Sequence, residues 1–164
     1  MAAAGPGPRR IQAGSRGGFT LVELLIVLAL LSIVAAISVP MLNRYATNAD
    51  LKTAARSVAA DLAAAKQRAV EENLDVYRIT FSVEGNQYTL SRTDTGVTLW
   101  TRTVSSFGNG IVISAINFGG AAVVSFQKRG TLTAGTATLQ NSRGSTAIVE
   151  TNITGRTHVT FSLQ

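Results

Sequence analysis

Residues 24–43 form a run of 20 positions without a formal charge, and most of them are Leu, Ile, Val or Ala. A helix of that length rises about 30 Å, enough to cross the hydrocarbon core of a bilayer. The remainder of the 164-residue chain is more polar and rich in Thr, Ser, Gly and Asn. The sequence therefore describes an anchored protein with one soluble portion, not a polytopic membrane protein.

The flank sets the orientation. Residues 1–18 hold Arg9, Arg10 and Arg16 and no acid, and their Gly and Pro content opposes regular structure. Basic residues ahead of an apolar span stay in the cytoplasm, so the C-terminal portion is expected across the membrane. The leader also explains much of the net charge. The chain has 15 Lys and Arg against 9 acids, and removing the leader's three arginines lowers the formal charge from +6 to +3. A basic balance of this origin is partly a targeting signal, not evidence for a nucleic-acid partner.

Composition removes other classes. With 46% hydrophobic and 15% charged residues the chain is too apolar to stay disordered. It has no Cys, which excludes a disulfide scaffold, a thiolate metal site and a lipidated cysteine. His158 is the single histidine, so neither a His-rich metal site nor a Ser/His triad is supported. No cluster of His, Cys and carboxylates is evident, so the chain is read as neither an enzyme nor a cofactor carrier.

Four origins fit an apolar segment behind a basic flank: a plain signal anchor, a secretory signal cut near Ala36-Ile37-Ser38, a mitochondrial presequence, or a prepilin signal. The presequence is disfavoured because 20 apolar residues far exceed an amphipathic transit helix. The segment Arg16-Gly17-Gly18-Phe19-Thr20-Leu21-Val22-Glu23-Leu24-Leu25-Ile26-Val27 resembles the type IV prepilin signal. That resemblance implies cleavage after Gly18 by a prepilin peptidase and N-methylation of the new Phe19 amine, with the apolar helix retained. It also implies membrane anchoring in the bacterial inner membrane, an inner-membrane assembly platform as partner, and a filament of related subunits.

Glu23 admits two readings. Thr20-x-x-Glu23 has capping-box spacing, which would satisfy free amides at a helix start. A carboxylate at the edge of an apolar core is also costly unless paired or protonated, which makes it a functional candidate. The resemblance implies that it pairs with the N-terminal amine of a subunit during assembly. Pro40 lacks a backbone donor and clashes with the carbonyl four residues earlier, so a kink or local melting is expected near Ala36.

Beyond Pro40, Leu51, Ala55, Val58, Leu62, Ala65 and Ala69 recur at alternating spacings of four and three, which makes one apolar stripe. Arg44, Asp50, Lys52, Arg56, Asp61, Lys66, Arg68 and Glu71 fall largely off it. A helix over 20–72, about 80 Å long, is predicted to end at Asn73, a residue that tolerates the left-handed conformation. After Asn73 the period changes to two. Ile79, Phe81 and Val83, then Tyr88 and Leu90, flank Glu84-Gly85-Asn86 as a hairpin. Further strands are predicted over 97–104, 111–116, 121–126, 136–140, 147–151 and 159–163, the last with Val159, Phe161 and Leu163 on one face. Gly108-Asn109-Gly110 and Gly119-Gly120 read as turns. The expected fold is α+β: a long N-terminal helix, transmembrane in its first half, packed on an antiparallel β-rich globular domain. The segments are a leader (1–18), an assembly half-helix (19–43), an amphipathic half-helix (44–73) and a periplasmic domain (74–164).

Residues 61–76, Phe126-Gln127-Lys128-Arg129-Gly130-Thr131 and Gly155-Arg156 are similar to the helix end, a Phe-x-x-x-Gly turn and a Gly-Arg pair in the GspH/FimT group of minor pseudopilins. The resemblance implies a structural minor subunit near the tip of a type II secretion pseudopilus, in contact with exported proteins. The alternative it leaves open is a FimT-like minor pilin of a type IV pilus, acting in pilus biogenesis or DNA uptake. DNA binding would rest on Lys128, Arg129, Arg143 and Arg156. It is the second reading, because His158 stands where a second basic residue would follow Arg156. A mostly neutral imidazole adds little phosphate affinity.

Overall fold

The computed structural model describes residues 18–164, so the leader other than Gly18 lies outside the described residues. One α-helix, α1 (Leu21–Glu71), is followed by eight strands: β1 (Tyr77–Ser82), β2 (Gln87–Arg92), β3 (Thr98–Thr103), β4 (Val112–Asn117), β5 (Val123–Ser125), β6 (Gly135–Gln140), β7 (Thr146–Thr151) and β8 (Thr157–Ser162). The chain separates into two compact units, one ending at Pro40 and the other spanning Met41–Gln164.

In the first unit the helix is apolar around its circumference, and its large apolar side chains are exposed among the described residues. Its hydroxyls are satisfied internally. Ser32 Oγ donates to the Ala29 carbonyl and Ser38 Oγ to the Val34 carbonyl, so neither presents an unpaired donor in an apolar setting. The helical assignment runs unbroken through Pro40. The local melting expected near Ala36 is therefore absent: a proline removes one hydrogen bond, and the flanking turns still hold the backbone helical.

In the second unit the predicted stripe is the buried face. Leu51, Ala55, Val58, Leu62, Ala65 and Ala69 are all buried, joined by Ala54. Alanines at four of these seven positions let the sheets approach the helix closely. Asn73 ends the helix at φ 54°, and the Leu74 N–H donates to the Ala69 carbonyl at 3.0 Å. Asp61 departs from expectation. It is buried, because it lies three residues after Val58 on the core side and finds polar partners there.

The strands form two antiparallel four-stranded sheets, ordered β3-β2-β1-β5 and β4-β6-β7-β8. The β1–β2 hairpin pairs Ile79 with Leu90 and Phe81 with Tyr88 around the predicted turn, where Asn86 adopts φ 48°. Tyr77, Ile79, Phe81, Tyr88, Leu90 and Val124 point inward from the first sheet, and Ile113, Ala137, Leu139, Ala147 and Val149 from the second, into one core shared with the helix. Burial of each Leu or Ile there contributes about 1.5–3 kcal/mol. Phe81 stacks on both Tyr88 and Phe118, with ring centroids 5.5 Å apart in each pair.

Gly135 opens β6 where a Cβ would collide with the Asn117 carbonyl and lie 2.5 Å from Phe118 Cα, so only glycine fits. Val104, expected at the end of a strand, instead begins a 3-10 turn (Val104–Phe107). On β8, Val159 and Phe161 pack partly against the core, whereas Leu163 lies beyond the strand and is exposed. Its place on the inner face therefore does not hold, because the ladder has ended there.

Candidate functional site

Three features stand out by chemistry, and each is built on a different part of the chain. At the N-terminal edge, Gly18 and Phe19 are exposed, Phe19 to 85%. Thr20 caps α1: its carbonyl accepts the Leu24 N–H and its Oγ1 accepts the Glu23 N–H, both at 3.2 Å. Half of a capping box is thus made. The Glu23 carboxylate enters no ion pair among the described residues. It lies one turn from Phe19 on an exposed apolar helix.

The second feature ties the helix to the first sheet. Tyr88 Oη donates to Asp61 Oδ2 at 2.6 Å, and Arg102 Nε lies 3.4 Å from the same oxygen. The Arg102 guanidinium sits 5.3 Å from the centre of the Trp100 ring, which meets Tyr88 edge-on. Burial, and then the hydrogen bond to Asp61, push the Tyr88 hydroxyl well above the ordinary tyrosine range. A proton held this firmly has no acid–base use at neutral pH. A parallel clamp stands at the helix end, where Tyr77 donates to Glu72 and Arg68 and Arg92 flank the same carboxylate. The Tyr77 hydrogen bond, followed by that of Arg68, lowers the Glu72 carboxyl below its ordinary value. Both clusters hold the fold together.

The third feature is basic. Lys128 and Arg129 lie in the turn after β5, and Arg156 in the turn between β7 and β8. Hydrogen bonds join Gln127 N–H to the Thr131 carbonyl and Gly130 N–H to the Gln127 carbonyl, both at 2.9 Å, which closes the first turn. The two turns adjoin: Leu132 N–H donates to the Ile153 carbonyl, and Lys66 Nζ donates to the Gly155 carbonyl at 3.0 Å. Arg143 does not join them. It lies in the β6–β7 turn, at the other end of β7, and six residues of strand span about 20 Å. The four residues expected to form one basic face are therefore three and one. Sequence reasoning missed Arg78, which lines a cleft of about 370 Å³ with Lys128, Arg129 and Asp75. The outward position of Arg78 between Tyr77 and Ile79 was the available signal. Arg156 and His158 share a separate shallow cleft with Glu150.

The profile of the prokaryotic N-terminal methylation motif matches residues 14–39, and that of the type II transport protein GspH matches residues 54–155. The chain belongs to the GspH family. Membership makes this GspH-family protein a minor pseudopilin of type II secretion, membrane-anchored with a periplasmic domain and assembling with other pilin-like subunits. Among solved structures it shares its fold with the minor pseudopilin EpsH from the type 2 secretion system of Vibrio cholerae. The identity is 14% and the TM-score 0.56, over 68% of this chain and 97% of that one. No curated protein matches it by sequence.

Two glycines of the GspH-like motifs acquire a physical reason. Gly130 adopts φ 81° to close the turn after β5. Gly155, at φ 77°, brings its Cα so close that a Cβ would collide with the Gly130 carbonyl and lie 2.7 Å from Lys66 Cδ. Glycine at both positions lets the two basic turns touch.

Proposed function

We propose that this GspH-family chain is a structural subunit near the pseudopilus tip, matured by a prepilin peptidase that cuts after Gly18 and methylates Phe19. The leader stays in the cytoplasm, residues 19–43 sit in the inner membrane, and the β-rich domain faces the periplasm. The assembly platform of the inner membrane draws the subunit into the filament, where the periplasmic domain meets exported folded proteins. No residue acts as a catalyst in this reading.

The observation that carries it is the pairing of an uncovered apolar helix, with its lone carboxylate near the start, to a GspH domain. Cleavage creates a cationic amine one turn from Glu23, so a subunit entering the filament brings a counter-charge that a carboxylate in apolar surroundings needs. DNA uptake gains less from the fold, because Arg143 stands apart from the other three basic residues.

Substituting Glu23→Ala tests the assembly role. The variant is expected to insert in the membrane as well as wild type or better, since a carboxylate is costly there. It is expected to lose co-isolation with neighbouring pilin-like subunits after cross-linking. Wild-type co-isolation of Glu23→Ala would remove the pairing role.

A further inference from the structure

We infer that the cleft between Asp75, Arg78 and the turn at 126–129 is a docking site for an acidic segment of a neighbouring protein subunit. The inference rests on the reading of this chain as a filament component and names the chemistry of one of its contacts.

The cleft has a surplus of positive charge. Arg78, Lys128 and Arg129 line it with one acid, Asp75. The Asp75 carboxylate is already engaged, accepting the Lys128 N–H at 2.6 Å, and so fixes the turn on which Lys128 and Arg129 stand. The other strongly ionic group at this end of the sheet is internally balanced. Arg68, Arg92, Glu72 and Asp94 neutralise one another in ion pairs of 2.7–3.7 Å. Arg78, Lys128 and Arg129 enter no ion pair among the described residues. The backbone beneath them is fixed: Arg78 pairs with Ser125 across β1 and β5, and the Phe126 N–H donates to the Tyr77 carbonyl at 3.1 Å.

Geometry selects the occupant. The three cations are exposed, and an exposed ion pair is worth only about 0–1 kcal/mol, so a single small anion would not be held. An extended acidic segment engages all three together and gains the sum. A DNA duplex, with a charge every ~1.7 Å along its axis, needs a long row of cations. Here the cations ring one opening, and Arg143, which would have extended the row, stands at the other end of β7. Arg156 stands on the adjoining turn but lines a separate cleft with His158 and Glu150, so it is not one of the docking cations.

The test uses the full chain in non-ionic detergent, a fluorescein-labelled hexaglutamate peptide and a short labelled DNA duplex, with anisotropy read at about 50 and 150 mM salt. Wild type is expected to bind the peptide, more weakly at the higher salt. The combined Arg78→Ala/Lys128→Ala/Arg129→Ala variant is expected to bind about tenfold more weakly, and Arg143→Ala as wild type. Trp100 fluorescence reports whether the combined variant is folded. Where it is not, Arg129→Glu alone, at an exposed turn position, is expected to weaken binding. Absent peptide binding, or binding equal in wild type and these variants, overturns the inference. A duplex bound more tightly than the peptide, and lost in the same variants, also overturns it and makes the cleft a nucleic-acid site. Peptide binding is read without filaments. Its failure beside a successful Glu23→Ala result removes this inference alone.

Discussion

The Asp61 carboxylate receives the Tyr88 hydroxyl at 2.6 Å inside the contact between helix and sheet, with Arg102 covering its outer side. Truncating it leaves a buried phenol donor without a partner, and an orphaned buried donor costs about 1–3 kcal/mol. Asp61→Ala is therefore expected to destabilise the domain by about 2–3 kcal/mol. Tyr88→Phe is expected to cost less, about 1 kcal/mol, because Arg102 still faces the carboxylate. Guanidinium unfolding followed by fluorescence measures both, since the single tryptophan, Trp100, adjoins the pair. An Asp61→Ala change within about 0.5 kcal/mol of wild type contradicts this account of the contact. The same residue shows where periodicity stops being informative. A carboxylate at a core-facing helical position reads as solvated unless its partner, here 27 residues away, is known.

The end of α1 is held by a second carboxylate of different exposure. Glu72 is on the surface, its carboxyl lowered below 4.5 first by the Tyr77 hydrogen bond and then by Arg68, against a smaller opposing effect of burial. A carboxyl whose folded pKa is depressed adds stability that is fully present above the unfolded value. That stability is lost as pH falls through the folded one. The domain is thus expected to lose stability below about pH 4.5, and Glu72→Gln to flatten that loss. Unfolding midpoints across this acidic range measure the slope, and an unchanged slope in Glu72→Gln contradicts the clamp.

Among the strands, alternation such as Ile79, Phe81 and then Tyr88, Leu90 revealed which residues face inward, because period two is local. It did not reveal that β5 returns to pair with β1 while β4 joins β6, giving two sheets. That choice rests on register between distant segments, to which local periodicity is blind. The same limit hid the cleft. Lys128 and Arg129 were visible as a basic turn, but Arg78 reaches them only through the β1–β5 pairing.

Taken as one chain, the protein joins an apolar helix whose side chains are exposed among the described residues to a domain with its own closed core. More than a dozen large apolar side chains between Phe19 and Tyr45 are exposed, a surface that only lipid or neighbouring helices can cover. The N-terminal methylation motif over residues 14–39 and the GspH domain over 54–155 are the two halves of that design. The anchoring helix was readable because charge-free length is a property of contiguous residues. The functional reading depends on that helix being retained after processing. A secretory signal would lose it instead, through cleavage near Ala36-Ile37-Ser38. Intact mass spectrometry of the membrane-extracted chain separates the two. The account predicts a mature protein that begins at Phe19 and carries one added methyl group. A chain beginning near Val39 would contradict it.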